Sequence, residues 1–242
     1  MADTAGLEVQ TRDNNHGAPR KHHWRRWIIA GVAVVVVLIV LVAVSVKPQP
    51  GPPPLALPTA AATAPAQAGP VDGTWNVGAG SLAGFRVRQT LLGKSSDVVG
   101  RTNTVTGTIT ASRNRLTSAT FRIDLTSIKV NDKTPPQFVK SLDTQRYPSA
   151  TFTLTQPTTL SSDLNTGATV TATATGQLRL HGVTRLVTFP LASRRNGSAL
   201  EAAGSIPITF SDWDIVPPKN YGPIGSLADH GVAEFLLILH RQ

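Results

Sequence analysis

The pattern of apolar and polar residues divides the chain into two unlike parts. Residues 27–46 form an unbroken apolar run, WIIAGVAVVVVLIVLVAVSV, that contains no charged side chain. From residue 71 onwards, short stretches rich in Thr, Val and Ala alternate apolar with polar residues, and turn-forming residues separate them. Alternation with a period of two is typical of β-strands that are buried on one face. The pattern therefore predicts one long apolar segment followed by an all-β domain over residues 71–242.

One short helix interrupts the predicted strands. It is expected at Pro135–Leu142, with Thr134 as its cap and proline at its first positions. Its buried side would consist of Phe138, Val139 and Leu142. No other segment of the β-domain has a sustained apolar stripe with the 3.6-residue period of a helix, so the fold class is all-β.

The predicted strand VTATATGQLRL has an inward face that is small at one end and large at the other. That face consists of Val170, Ala172, Ala174, Gly176, Leu178 and Leu180. A packed β-sandwich prefers bulky residues throughout its core, because its two inner faces interdigitate about 10 Å apart. Small inward residues leave volume, and a barrel of about eight strands can enclose one apolar ligand. The pattern therefore favours a closed antiparallel β-barrel with a spacious interior.

The apolar run at 27–46 has the length and the flanks of a transmembrane helix. About twenty apolar residues cross a hydrocarbon core of about 30 Å. Basic residues are concentrated just before the run, and only Lys47 follows it closely, so the N-terminus is expected in the cytoplasm. We expect a single-pass plasma-membrane protein with a basic cytoplasmic head at 1–26, a transmembrane anchor at 27–46 and an extracytoplasmic β-domain. The alternative is a cleaved signal peptide with Ala43-Val44-Ser45 as its cleavage site, although the apolar run is longer than is usual there.

Residues 47–70, KPQPGPPPLALPTAAATAPAQAGP, consist mainly of Pro and Ala. Proline has no N–H donor and a fixed φ, so such a segment favours an extended, polyproline-like chain. We expect a semi-rigid stalk between the anchor and the β-domain.

Charge and cysteine content exclude several classes of function. The formal charge is +9, yet after residue 47 the basic residues are scattered singly along strand-like stretches and are not interleaved with stacking aromatics. Such a distribution is typical of a solvated surface, so no nucleic-acid partner is expected. The chain has no cysteine, which excludes disulfides, thiolate metal sites and a cysteine nucleophile. We expect neither a metal nor a cofactor.

Two short motifs are candidates for chemistry. His181-Gly182 lies between two predicted strands, where glycine supplies the positive φ of a primed hairpin turn, and no partner lies nearby at a metal-binding spacing. We interpret the pair as a turn. Asp212 and Asp214 flank Trp213 and resemble the carboxylate pair of a glycoside hydrolase beside a sugar-stacking ring, because residues i and i+2 share one face of a strand. An exported glycoside hydrolase-like enzyme that uses these two carboxylates is the alternative to a binding protein.

Two longer strings, taken in order, resemble one family. They are YPSATF at 147–152 and GQLRLHGVTR at 176–185, with TWNV and GFRVRQ before them and GSIPITFSDWDI after them. These segments and their order resemble sequences of the YceI family of bacterial lipid-binding proteins. The resemblance implies a lipocalin-like antiparallel barrel that holds a long isoprenoid chain and has no catalytic residues. The chain departs from the family's pattern at residues 133–136, KTPP, where members often have an Arg-Asp pair, and in its membrane anchor, because many members are soluble periplasmic proteins.

The sequence therefore predicts a membrane-anchored, non-enzymatic protein that binds a long apolar lipid inside a barrel. The ligand is expected to be a polyisoprenoid or an isoprenoid quinone, held for carriage or storage. The inward apolar residues expected to contact it are Phe85, Phe121, Ile123, Phe152, Ala172, Ala174, Leu178, Phe189, Ile208 and Phe210.

Overall fold

The structure, a computed structural model, describes residues 51–59, 70–218 and 225–242. The predicted head at 1–26 and anchor at 27–46 lie outside these ranges. Among the described residues, no helix is both long enough and apolar enough to span a bilayer.

The described part of the chain contains eleven antiparallel strands and one α-helix. The strands are β1 (Gly73–Val77), β2 (Leu82–Leu91), β3 (Lys94–Thr102), β4 (Val105–Ser112), β5 (Arg115–Asp124), β6 (Ser149–Leu154), β7 (Thr158–Thr159), β8 (Val170–Leu180), β9 (Val183–Asn196), β10 (Ala199–Thr209) and β11 (Gly225–Arg241). The helix, α1, spans Pro136–Leu142, between β5 and β6.

These strands close into a barrel with eight strand positions. β1 and β2 follow one another along the same side of β11, since Trp75 pairs with Arg241 and Ala83 pairs with Phe235. β3 and β4 likewise continue one another, β3 pairing with β2 and β4 with β1. β6 and β7 share the position beside β5. The ring runs β1/β2, β3/β4, β5, β6/β7, β8, β9, β10, β11 and returns to β1/β2, which confirms the predicted antiparallel barrel of about eight strands.

Helix α1 begins one residue later than expected, and its cap differs from the prediction. Pro135 occupies the N-cap position with an extended backbone and makes no side-chain cap bond, so Thr134 does not cap the helix. The reason is that the first of two successive prolines takes the place directly before the helix, where a Thr hydroxyl would otherwise act. The residues predicted for its buried side, Phe138, Val139 and Leu142, are half-buried, and no residue of the helix is fully buried.

The barrel end formed by β1 and the C-terminal part of β11 is filled by side chains. Trp75 is fully buried and its indole Nε1 donates to the carbonyl oxygen of Val71 at 2.8 Å. The amide of Val71 donates to Oδ1 of Asn165 at 3.1 Å, which ties a 3-10 helix at Ser162–Thr166 to the same end. Leu164 of that helix is also fully buried. This end of the barrel is therefore a packed core.

The described part of the predicted stalk lies against the outer face of the barrel. Residues 51–59, here called the proline strap, hydrogen-bond to side chains of β2, β3, β9 and β11. The expectation of a spacer did not anticipate these contacts.

Candidate lipid-binding cavity

A cavity of about 200 Å³ opens above the packed end and is lined by inward side chains of the barrel strands. Along β10 its walls extend from Leu200 to Ile208. At about 3.3 Å per residue and a strand tilt of about 40°, this span corresponds to about 20 Å along the barrel axis. The space is thus long and narrow, as an extended hydrocarbon chain requires.

The cavity walls are apolar. Among the residues that line the cavity, only Ser141, Ser193 and Glu234 have polar side chains. The Glu234 carboxylate is turned to the outer face of the barrel, where it bonds to Arg86 and Arg101. A buried interior without a charged partner favours a neutral apolar guest, because desolvating a polar group there would be unfavourable without a hydrogen bond.

Three phenylalanines in mutual contact narrow the cavity. Phe189 makes edge contacts with Phe152 at 5.4 Å and with Phe235 at 5.8 Å between ring centroids. Gly176 accommodates the Phe152 ring, since a Cβ added there would lie 2.4 Å from that ring. Part of the volume that small inward residues leave is therefore filled by aromatic rings.

Helix α1 covers the end of the cavity opposite the packed core. Phe138 stacks on Phe85 of β2 with ring centroids 5.5 Å apart, and Leu142 also lines the cavity. Beside this cover, at the end of β5, the Thr126 hydroxyl donates to Asp124 and lowers the pKa of that carboxyl. The cover is one short helix held by half-buried contacts, so this end is more easily opened than the other.

The structure places nine of the ten predicted residues on the cavity wall. These are Phe85, Phe121, Ile123, Phe152, Ala174, Leu178, Phe189, Ile208 and Phe210. Ala172 is the exception: it faces inwards and packs against the core, but it does not line the cavity. It pairs with Leu191 of β9, and that larger side chain lines the cavity at this level.

Sequence reasoning missed several residues of the wall. They include Ile109, Leu116, Phe138, Ile206, Phe235 and Leu237. The alternation of polar and apolar residues in β4, β10 and β11 carries the signal for most of them. Phe138 required knowledge of where α1 packs, which local sequence does not contain.

His181 and Gly182 form the turn between β8 and β9, as predicted. Both have positive φ, 51° and 80°, and Leu180 pairs with Val183 across the turn. The ring of His181 lies 4.9 Å from that of Tyr147, and its Nδ1 is 3.0 Å from the carbonyl oxygen of Trp213. These contacts join the turn to neighbouring segments. Among the described residues, no cluster of His, Asp and Glu could hold a metal ion.

The arrangement that the hydrolase alternative required is absent from the described segment 210–214. Phe210–Trp213 is a 3-10 helix and Asp214 is left-handed, so the two carboxylates do not share one face of a strand. Trp213 is buried and cannot stack on a sugar. Asp212 instead pairs with Arg185 at 3.7 Å at the surface. The strand pattern ended earlier than predicted because the chain turns after Thr209.

Comparison with known proteins agrees with this fold. A family model for the YceI-like domain matches residues 75–232, so the chain belongs to the YceI-like family. A polyisoprenoid binding domain from Saccharophagus degradans, implicated in plant cell wall breakdown, has a similar structure with a TM-score of 0.54 and 16% identity. That match covers 69% of this chain and 98% of the domain, and it shows a shared fold.

Two further solved structures are similar at lower scores. BcnA from Burkholderia cenocepacia has a TM-score of 0.47 and 21% identity, over 64% of this chain and 95% of BcnA. A mutant of the Campylobacter jejuni YceI protein has a TM-score of 0.45 and 12% identity, over 61% of this chain and 86% of that one. No curated protein matches the chain.

Proposed function

We propose that this barrel binds a long, neutral isoprenoid lipid, a polyisoprenoid or an isoprenoid quinone, for carriage or storage. The observation that carries the proposal is the long cavity with apolar walls, packed at one end and covered by α1 at the other. The Saccharophagus degradans domain, which has the same fold and is described as polyisoprenoid binding, supports the same ligand class.

Binding by this cavity depends on apolar contact area. Each CH₂ group removed from water contributes about 0.8 kcal/mol, so a five-carbon isoprene unit contributes about 4 kcal/mol before the entropy of binding is subtracted. Among the described residues, no charged side chain points into the cavity to select a headgroup. The ligand is thus selected by length and cross-section, and the proposed function includes no catalytic step.

We also propose that the protein acts at the plasma membrane. The apolar run at 27–46 and the basic residues before it support a single-pass anchor with the N-terminus in the cytoplasm. The barrel would then be extracytoplasmic, on the side where an apolar lipid can be exchanged with the outer leaflet.

Mass spectrometry of organic extracts tests the ligand class. The full chain is purified from its native membrane in mild detergent, extracted, and compared with detergent extracts of the same membrane without the protein. We expect a polyisoprenoid or isoprenoid quinone enriched in stoichiometric amount with the protein. Extracts that contain only phospholipid in the proportions of the membrane would contradict the proposal.

A further inference from the structure

The proline strap begins against the outer faces of β3 and β2. Nη2 of Arg86 in β2 donates to the carbonyl oxygen of Pro52 at 2.7 Å, and Nη2 of Arg101 in β3 donates to that of Pro53. A Cβ added to Gly51 would lie 3.0 Å from Cγ2 of Val99 in β3. Proline has a carbonyl acceptor and no N–H donor, so Pro52 and Pro53 offer the two arginines acceptors without bringing donors of their own.

The strap then continues over β11 to β9. The amide of Leu55 donates to Oε2 of Glu234 in β11 at 3.3 Å. Nη2 of Arg194 in β9 donates to the carbonyl oxygen of Pro58 at 2.8 Å. One nine-residue segment thus bonds to side chains on four strands of the barrel wall.

The charges beneath the strap are buried although they point away from the cavity. Glu234 is 3% exposed and accepts from Arg101 at 3.0 Å and from Arg86 at 3.4 Å. Outward side chains of a barrel normally face water, and a buried charge is unfavourable unless it is paired and hydrogen-bonded. The arginines and the strap amide together satisfy this carboxylate, so the docked strap is part of the folded wall.

The wall beneath the start of the strap has few backbone bonds on one side. β3 pairs with β2 along one edge, whereas on its other edge the described residues show one backbone bridge, between Arg101 and Lys129 at 2.9 Å in both directions, and a hydroxyl contact of 2.6 Å between Thr102 and Ser127. β2 presents Phe85 to Phe138 of the helix that covers the cavity. Arg101 therefore takes part both in the bridge that closes this edge and in the contact with the strap.

We propose that the proline strap is a clasp on ligand exchange. When docked, it holds β2 and β3 against β11 and keeps Phe85 under α1, so that lipid enters and leaves slowly. When released, it frees the outer side of β2 and β3, which then move away from α1 and open the cavity. This inference rests on the proposed lipid-binding function.

A disulfide that locks the strap tests the clasp in the full chain. The protein has no cysteine, so Gly51→Cys with Val99→Cys gives the only possible disulfide. The added Cβ would lie 3.0 Å from Cγ2 of Val99 and 2.9 Å from the carbonyl oxygen of Asp97, so residue 51 must shift slightly, and the single Gly51→Cys variant measures the effect of that shift. Exchange of a fluorescent prenyl alcohol is followed with and without reductant, and each single cysteine variant is the control. We expect the oxidised lock to slow both association and dissociation by about tenfold. The equilibrium affinity should change by less than about twofold, because the lock does not discriminate between the filled and empty barrel.

A variant that weakens the docking of the strap should speed probe exchange instead of slowing it. Its effect on the barrel can also be measured without lipid, by amide hydrogen exchange. Leu55→Pro removes the strap amide that donates to Glu234, and we expect faster probe exchange together with faster hydrogen exchange at the β3 amides near Arg101. Ala56→Pro, at an exposed position of the same strap, is the matched control. Unchanged probe exchange in the locked protein, or β3 amides unaffected by Leu55→Pro, would overturn the clasp. A protein that binds no prenyl alcohol while its β3 amides still respond to Leu55→Pro would instead refute the lipid function.

Discussion

Gly182 lies where the two segments that carry the family resemblance, 147–152 and 176–185, contact each other. The ring of Tyr147, from the first segment, packs at a tilt against that of His181, from the second. A Cβ at Gly182 would lie 2.6 Å from Cε1 of Tyr147, and the residue has a φ of 80°. Glycine is therefore required both for the backbone of the turn and for the space that Tyr147 occupies.

Substitutions in this turn should distinguish how much each of its two residues contributes to stability. Gly182→Val should lower the free energy of unfolding by about 2–4 kcal/mol, because it adds left-handed strain and overlaps the Tyr147 ring. His181→Asn keeps a residue that tolerates positive φ and should cost about 1 kcal/mol through the lost ring contact and hydrogen bond. Urea unfolding measures both, and probe binding should be unchanged in His181→Asn. Loss of binding in a folded His181→Asn protein would assign the histidine a functional role.

The ion pair between Arg194 and Glu201 leads to a second prediction at the scale of single residues. The two side chains lie 2.5 Å apart, and both residues are more than nine-tenths buried beneath the strap. Glu201→Ala should lower the free energy of unfolding by about 3–5 kcal/mol, since it leaves a buried guanidinium unpaired. Arg194→Met combined with Glu201→Leu should cost much less, because no charge remains to be desolvated. A double variant as unstable as Glu201→Ala would show that packing, and not charge, dominates at this site.

At the scale of elements, alternation along each strand predicted most of the cavity wall. In β8 it placed Ala174 and Leu178 inside correctly, since a strand buried on one face has a fixed period of two. It could not predict that Ala172 lies off the cavity wall, because which inward side chain reaches the cavity depends on neighbours in other strands, such as Leu191. The 3-10 turn at Phe210–Trp213 and the strap contacts were missed for the same reason: tertiary partners decide them.

A larger side chain on the inward face of β8 should reduce the length of the longest lipid that the cavity accepts. Ala174→Trp adds a ring to the cavity wall, whereas Thr173→Trp, on the exposed face of the same strand, adds the same ring outside. We expect Ala174→Trp to weaken binding of long prenyl alcohols more than that of short ones, while Thr173→Trp binds like the parent protein. Titrations with both lengths measure the difference. An equal loss for both lengths in Ala174→Trp would indicate general damage to the barrel.

At the scale of the whole molecule, the proline strap contacts the barrel although it lies outside the residues that the family model matches. The family match begins at residue 75, yet the strap at 51–59 supplies hydrogen bonds to four strands of the barrel. Local composition predicted an extended chain, because the fixed φ and the missing N–H of proline are local properties. Docking depends on three arginines and one glutamate that come together only in the folded barrel.

The proposed membrane anchor leads to a prediction about the form of the protein in its native host. If residues 27–46 remain as a transmembrane helix, the protein in its native host should sediment with membranes and should begin near residue 1. N-terminal peptide mass spectrometry of the membrane and soluble fractions measures this. A soluble form that begins near Val46 as the major species would favour a cleaved signal peptide.

The most direct test of the proposed function is the dependence of affinity on ligand length. Prenyl alcohols of increasing length are titrated into the full chain in detergent, and the dissociation constant is measured for each. Because each added isoprene unit buries more apolar area until the cavity is full, affinity should rise with length and then reach a plateau. Affinity that does not change with length would contradict an apolar cavity that holds its ligand by contact along the chain.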